Sequence, residues 1–171
     1  LKNVNNSNLI LKSSNFCNEE ILINKFKSNG VANKVKILRK NNFLKHEDHL
    51  NLYKKIDLCL DTFPYNGVTT TFEALWMNVP VIVLKGNNFV SRCGESIIKN
   101  SKNDNLIAKN VDEYIAKAIL FANDLYKLNI IRKNLYDNVL SSELFDTKKF
   151  SKNFGDTLFA INEVHNRKIL N

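Results

Sequence analysis

Asp61-Thr62-Phe63-Pro64-Tyr65-Asn66-Gly67-Val68-Thr69-Thr70-Thr71-Phe72-Glu73-Ala74-Leu75-Trp76-Met77 is the stretch that decides the fold. Ahead of it stands Ile56-Asp57-Leu58-Cys59-Leu60, an apolar run of strand length, and behind it a second, Val79-Pro80-Val81-Ile82-Val83-Leu84. Pro80 suits only the entry to such a strand. Between the two runs the chain turns at Pro64, Asn66 and Gly67. A helix is expected from residue 70 to about residue 77, with hydroxyl side chains at its start. Strand, turn-rich loop, helix and strand in this order make one unit of parallel α/β structure.

The alternation continues on both sides. Upstream, residues 8–12 (Asn8-Leu9-Ile10-Leu11-Lys12) read as a buried strand, and residues 18–29 as a helix with Leu22 and Phe26 on one face. Gly30 is placed to close that helix. Residues 35–38 (Val35-Lys36-Ile37-Leu38) form another strand, and 46–54 return to helical spacing through Leu50 and Tyr53. Downstream, 91–100 read as helix and 106–108 as a short edge strand. From residue 111 the pattern is helical only, in segments 111–124, 125–140 and 146 to about 167. Neither internal repeats nor low-complexity linkers interrupt it. Residues 1–171 are read as one unit with a helical tail at about 111–167.

A chain of 171 residues, 44% hydrophobic and 25% charged, is long enough to bury one sizeable core. No apolar run approaches the roughly 18–20 residues of a membrane span, and the first residues carry no secretory pattern. The chain begins at Leu1 rather than Met and is read as a piece of a longer protein. Three cysteines, Cys17, Cys59 and Cys93, are odd in number and lack metal-ligand spacing. They fit a reducing compartment, with cytoplasm expected, rather than a disulfide scaffold. The net charge of +8 is spread over dispersed lysines instead of a dense basic block. That favours a solvated surface over nucleic-acid binding.

The loop from Asp61 to Thr71 carries the chemistry. It crosses the carboxyl edge of a parallel sheet, where ligands of such sheets bind. A helix N-terminus presents unpaired N–H groups and a partial positive charge that suit a diphosphate. Thr69, Thr70 and Thr71 add hydroxyls there, and Gly67 permits close backbone approach. A second reading is structural: Thr70 and Glu73 have capping-box spacing and would satisfy amides of their own helix. Phe63, Pro64 and Tyr65 would then be packing residues under the loop. His46 and His49 have near-metal spacing, but no further ligands accompany them, so no metal is expected. Either histidine could instead meet a base or a phosphate. Dinucleotide, Walker A, nucleophile-elbow and paired-acid glycosidase motifs are absent from the sequence.

The run from Leu58 to Val81 resembles the signature of the O-linked N-acetylglucosamine transferase and SPINDLY family. Gly86, Ser91-Arg92, Gly94, Leu106-Ile107-Ala108, Asp112-Glu113-Tyr114 and Ser142-Glu143-Leu144-Phe145-Asp146 extend the likeness, which spans residues 8–164. The resemblance implies the second lobe of a two-Rossmann-domain glycosyltransferase, with an open parallel sheet covered by helices on both faces. The parent would often carry tetratricopeptide repeats. It would move a sugar, N-acetylglucosamine from a UDP donor, to Ser or Thr of an acceptor protein. A GDP-fucose donor is the alternative within the class, and a non-catalytic interaction module the alternative outside it.

The same resemblance puts His49 at the base, His46 where the family often has a ribose-contacting lysine, and Glu73 at the ribose. Thr69 and Thr70 fall at the donor diphosphate, beside Asn66 and Gly67 of the loop. Val68 stands where some members carry a phosphate-contacting histidine. No cofactor and no metal are implied, and neither nucleic acid nor membrane is an implied partner. Two family features are absent ahead of Asn8: the lobe's first strand, with its Phe-Asn-x-x-x-Lys-like motif, and the N-terminal catalytic lobe. In the usual order 3-2-1-4-5-6 that strand would lie centrally. The chain alone is therefore expected not to catalyse transfer.

Overall fold

The computed structural model describes residues 1–13, 18–39 and 45–169. Its elements in chain order are β1 (Leu9–Ser13), α1 (Glu19–Ser28), β2 (Val35–Arg39), α2 (His46–Tyr53), β3 (Cys59–Leu60), α3 (Thr69–Trp76), β4 (Val81–Leu84), α4 (Phe89–Asn100), β5 (Ile107–Ala108), α5 (Val111–Asn123), α6 (Leu125–Leu140) and α7 (Thr147–Ile169). All strand pairs are parallel, as the alternating pattern predicts. Cys17 lies outside the described residues, while Cys59 and Cys93 are free thiols.

The expected single sheet is divided. β1 pairs with β2 in one two-stranded sheet, and β3, β4 and β5 form a separate sheet in that order. The order β2-β1, then β3-β4-β5, is 3-2-1-4-5-6 with its central member lacking. The division thus falls where the resemblance puts a strand that the described residues do not contain.

β4 is the centre of the core. Val81, Ile82 and Val83 are buried in succession, because a parallel strand covered on both faces needs no polar side. Helix α4 covers it through Ser91, Gly94, Ile97 and Ile98, a stripe at intervals of three and four. Phe121 of α5 and Leu128, Leu135 and Val139 of α6 complete the same cluster. Trp76 packs edge-on against Tyr136 and tilted against Phe145, tying α3 to the turn before α7. By contrast, α7 leaves Phe150, Phe154, Leu158 and Phe159 exposed. No described helix is long and apolar enough to cross a membrane.

β3 is shorter than the expected 56–60 because its partner positions on the β4 side cannot extend the ladder: Pro80 has no N–H, and the Val79 N–H donates to the Ala74 carbonyl. Arg132 of α6 donates to the carbonyls of Ile56 and Asp57, at 3.0 and 3.1 Å. Gly30 closes α1 at φ +70°, a conformation that glycine adopts without strain. Asn88 caps α4 by accepting from Ser91 N–H at 3.0 Å, and Asn110 caps α5 by accepting from Glu113 N–H at 2.8 Å.

Candidate functional site

Helix α3 starts at Thr69, one residue earlier than expected, and that shift redirects Glu73. With Val68 at the N-cap, Thr70 is the second helical residue and Glu73 the fifth. A capping box needs its carboxylate at the third position. The Thr70–Glu73 capping box predicted from spacing is therefore not formed, and the α3 N-cap makes no side-chain cap bond.

Glu73 instead faces α2. Its Oε2 lies 2.8 Å from His49 Nε2 and accepts a longer bond, 3.4 Å, from the Tyr53 hydroxyl. Its Oε1 stands 3.9 Å from His46 Nε2. Glu73 and His49 are 14% and 18% exposed, so their pairing is screened far less than a surface one. His46, 70% exposed, is held only loosely. Tyr53 also donates to the Thr70 carbonyl at 3.2 Å, binding α2 to the first turn of α3. Burial, then the Glu73 charge, pushes the Tyr53 phenol up, so it remains a hydrogen-bond donor.

Lys12, at the end of β1, reaches across to His49 Nδ1. Burial lowers its pKa, with the Glu73 carboxylate acting in the opposite direction. A lysine ammonium only donates, so Nδ1 accepts and Nε2 carries the proton that faces Glu73. Lys12, His49 and Glu73 thus form a line from β1 through α2 to α3. That line joins the ends of the two sheets. The structure therefore brings together His46, His49 and Glu73 at the carboxyl edge of the strands, with Lys12 and Tyr53 beside them. Sequence reading treated Lys12 as one more strand residue and Tyr53 as part of an apolar stripe. Their polar ends became visible only when the strand ends were brought side by side.

The loop approaches this cluster from the β3 side. Asn66 is 1% exposed and donates to the Thr62 carbonyl at 2.9 Å while accepting from Gly94 N–H at 3.1 Å. Gly67 N–H donates to Asp61 Oδ1 at 2.8 Å. A Cβ at Gly67 would meet Thr70 Oγ1 at 2.3 Å, so glycine is needed for the close approach. Thr71 is buried and its hydroxyl donates to the Gly67 carbonyl, which makes it a structural residue. Thr69 and Thr70 are exposed, and within the described residues their hydroxyls take no hydrogen-bond partner. Phe63 and Tyr65 are both exposed, which speaks against the alternative that they pack beneath the loop. The Phe63 ring meets the Tyr114 ring edge-on, with centroids 5.5 Å apart. Among the described residues no three His, Cys, Asp or Glu side chains could hold a metal ion together. Two hollows open to solvent lie elsewhere, one of about 340 Å³ between α1 and β2 and one of about 510 Å³ along α7. The candidate site is an open edge.

With this geometry, comparison with known proteins is direct. The profile of glycosyl transferase family 41 matches residues 1–154. A probable UDP-N-acetylglucosamine–peptide N-acetylglucosaminyltransferase SPINDLY of Solanum lycopersicum is 40% identical over 110 residues, 64% of this chain and 12% of that protein. Its counterpart from Eustoma exaltatum is 35% identical over 151 residues, 86% of this chain and 16% of that one. The solved structure of a mutant O-GlcNAc transferase from Thermobaculum terrenum superposes with a TM-score of 0.79 at 29% identity, covering 88% of this chain and 29% of that chain. The chain belongs to glycosyl transferase family 41. It spans between 12% and 16% of the length of these two curated relatives.

Proposed function

We propose that this chain is the donor-nucleotide-binding lobe of a glycosyltransferase that moves N-acetylglucosamine from a UDP donor to Ser or Thr of a protein. The observation that carries the reading is the convergence at the start of α3. Glu73 is turned away from capping and toward His49, while the Thr69 and Thr70 hydroxyls stand exposed beside the helix's first amides. The names of the relatives, which are peptide N-acetylglucosaminyltransferases, supply the substrate class.

In this reading His49 lies against the base and Glu73 accepts from a ribose hydroxyl, with His46 near the same sugar. Thr69, Thr70 and the first-turn N–H groups of α3 face the diphosphate. During transfer the bond from the anomeric carbon to the diphosphate breaks, and the acceptor oxygen bonds to that carbon. The products are glycosylated protein, nucleoside diphosphate and one proton. The chain's own contribution is to stabilise negative charge on the departing diphosphate with preorganised donors, and no metal is needed for that. The acceptor and its residues belong to a catalytic lobe outside this chain.

Calorimetric titration of UDP and GDP into the full-length protein, with Thr70→Ala as the control, tests the reading. Saturable UDP binding that is weakened in the variant while the fold survives supports it. A preference for GDP moves the donor to a GDP-sugar, and a Thr70→Ala variant that loses stability instead of affinity returns the threonine to a structural role. Binding of neither nucleotide overturns the donor-lobe assignment.

A further inference from the structure

Behind the loop sits a residue that the donor reading does not use. Asp61 follows β3 directly and is 8% exposed. Its Oδ1 accepts from both ends of the loop, Thr62 N–H at 2.9 Å and Gly67 N–H at 2.8 Å. Its Oδ2 is buried without a hydrogen-bond partner among the described residues. The space beside that oxygen is kept by Gly94 of α4, where a Cβ would stand 2.5 Å from Oδ2. The Tyr114 hydroxyl of α5 donates to the Asp61 carbonyl at 2.8 Å. Gly67 in turn stands close to Thr70: a Cβ added to it would lie 2.3 Å from the Thr70 hydroxyl oxygen, so the seat of Gly67 bounds the room that hydroxyl has.

We propose that Asp61, seated against Gly94, is the positioning residue for the diphosphate end of the donor site. The inference rests on the donor-lobe reading and adds to it a division of labour. The Lys12–His49–Glu73 line serves base and ribose, and the Asp61–Gly67–Thr70 line serves phosphate. Asp61 does not reach the ligand and acts through two loop amides. A buried carboxylate with one unpartnered oxygen is costly to a fold. A neutral residue could fill the space at less cost, and such local inconsistencies tend to mark functional positions. The seat at Gly94 has the same character. Glycine inside a helix is less favourable than alanine, and here it makes room for a carboxylate that is short, buried and held at its other oxygen by two hydrogen bonds.

The test compares UDP with uridine, since uridine keeps base and ribose and lacks the phosphates. Affinities of the full-length protein are measured for wild type, Asp61→Ala, Asp61→Asn and Gly94→Ala, with circular dichroism as the fold check. Asp61→Ala should weaken UDP by about tenfold or more, the worth of one well-placed charge-assisted hydrogen bond, and leave uridine within about twofold. Gly94→Ala should show the same selective loss, although it touches no ligand and alanine favours the helix. Asp61→Asn keeps an acceptor oxygen for both amides and should retain most UDP affinity. Equal losses for UDP and uridine, or no loss in either Asp61→Ala or Gly94→Ala, overturn the positioning role. If Asp61→Ala does not fold, Gly94→Ala and Asp61→Asn decide the matter alone. A wild-type protein that binds uridine as well as UDP, or binds neither, fails at the donor-lobe reading itself and takes this inference with it.

Discussion

If Glu73 is committed to His49 rather than to capping its own helix, the two residues must be energetically coupled. A double-mutant cycle measures that coupling directly. The cycle consists of Glu73→Ala, His49→Ala and the double variant, each unfolded in urea. The structure sets the size of the coupling. Of three contacts to Glu73, the His46 one spans 3.9 Å to a ring 70% exposed and contributes little. The Tyr53 hydroxyl is 3.4 Å away and keeps a second acceptor in the Thr70 carbonyl, so its loss is also small. The 2.8 Å bond to His49 remains. A hydrogen bond to a charged group contributes about 1.5–3 kcal/mol when buried. With both partners still partly wet, a coupling of about 1–2 kcal/mol is expected, roughly a 5- to 30-fold change in the folding equilibrium. The parallel cycle of Thr70→Ala with Glu73→Ala should give a coupling near zero. Coupling found in the Thr70 cycle and absent from the His49 cycle would refute the reasoning, because it is the signature of a capping box.

Three further outcomes follow from the geometry. Burial raises the Asp61 carboxyl from 3.8 to about 6, so the folded chain holds a proton that the unfolded chain has already released. Its contribution therefore favours folding most below about pH 3.8 and is lost as pH rises through about 6, a swing of at most about 3 kcal/mol; urea midpoints across that window should lose this slope in Asp61→Asn, and an unchanged slope would assign it to other groups. Leu135→Ala, at a fully buried position of α6, should cost about 2–5 kcal/mol in the same assay, and a loss below 1 kcal/mol would contradict the α6 packing. Tyr114→Phe removes the donor to the buried Asp61 carbonyl and should cost about 1–2 kcal/mol, visible as a lower urea midpoint at unchanged slope.

The fold was legible because its signals were local. Runs such as Val81–Leu84 need no partner information to be read as buried strands, and Gly30 marks the end of α1 by its own backbone freedom. What escaped depended on distant residues. Arg132 donates to carbonyls 75 and 76 positions earlier in the chain, a contact that no local pattern announces. The fate of Glu73 turned on a single residue of helix phase, finer than periodicity can resolve. In the sequence Asp61 is only the start of a turn, since nothing in its neighbourhood says that Gly94 will come to lie against its carboxylate. The histidines and threonines of the candidate site come from a resemblance, and spacing alone favours capping over binding at Thr70 and Glu73.

The division into two sheets also bears on how the chain opens. The main apolar cluster draws its buried members from Tyr53 onward, and among the described residues none of β1, α1 or β2 belongs to it. The N-terminal βαβ segment is tied to the remainder through contacts such as Lys12 to His49 and Asn123 to the Asn3 carbonyl. Native-state hydrogen exchange reports such independence as separate protection levels. The amides of β1 and β2 should exchange through a sub-global opening well before those of β4, which wait for global unfolding. The candidate edge would then have one wall that yields and one that does not, so a nucleotide bound there as proposed would tighten the chain mainly on the side that carries Lys12.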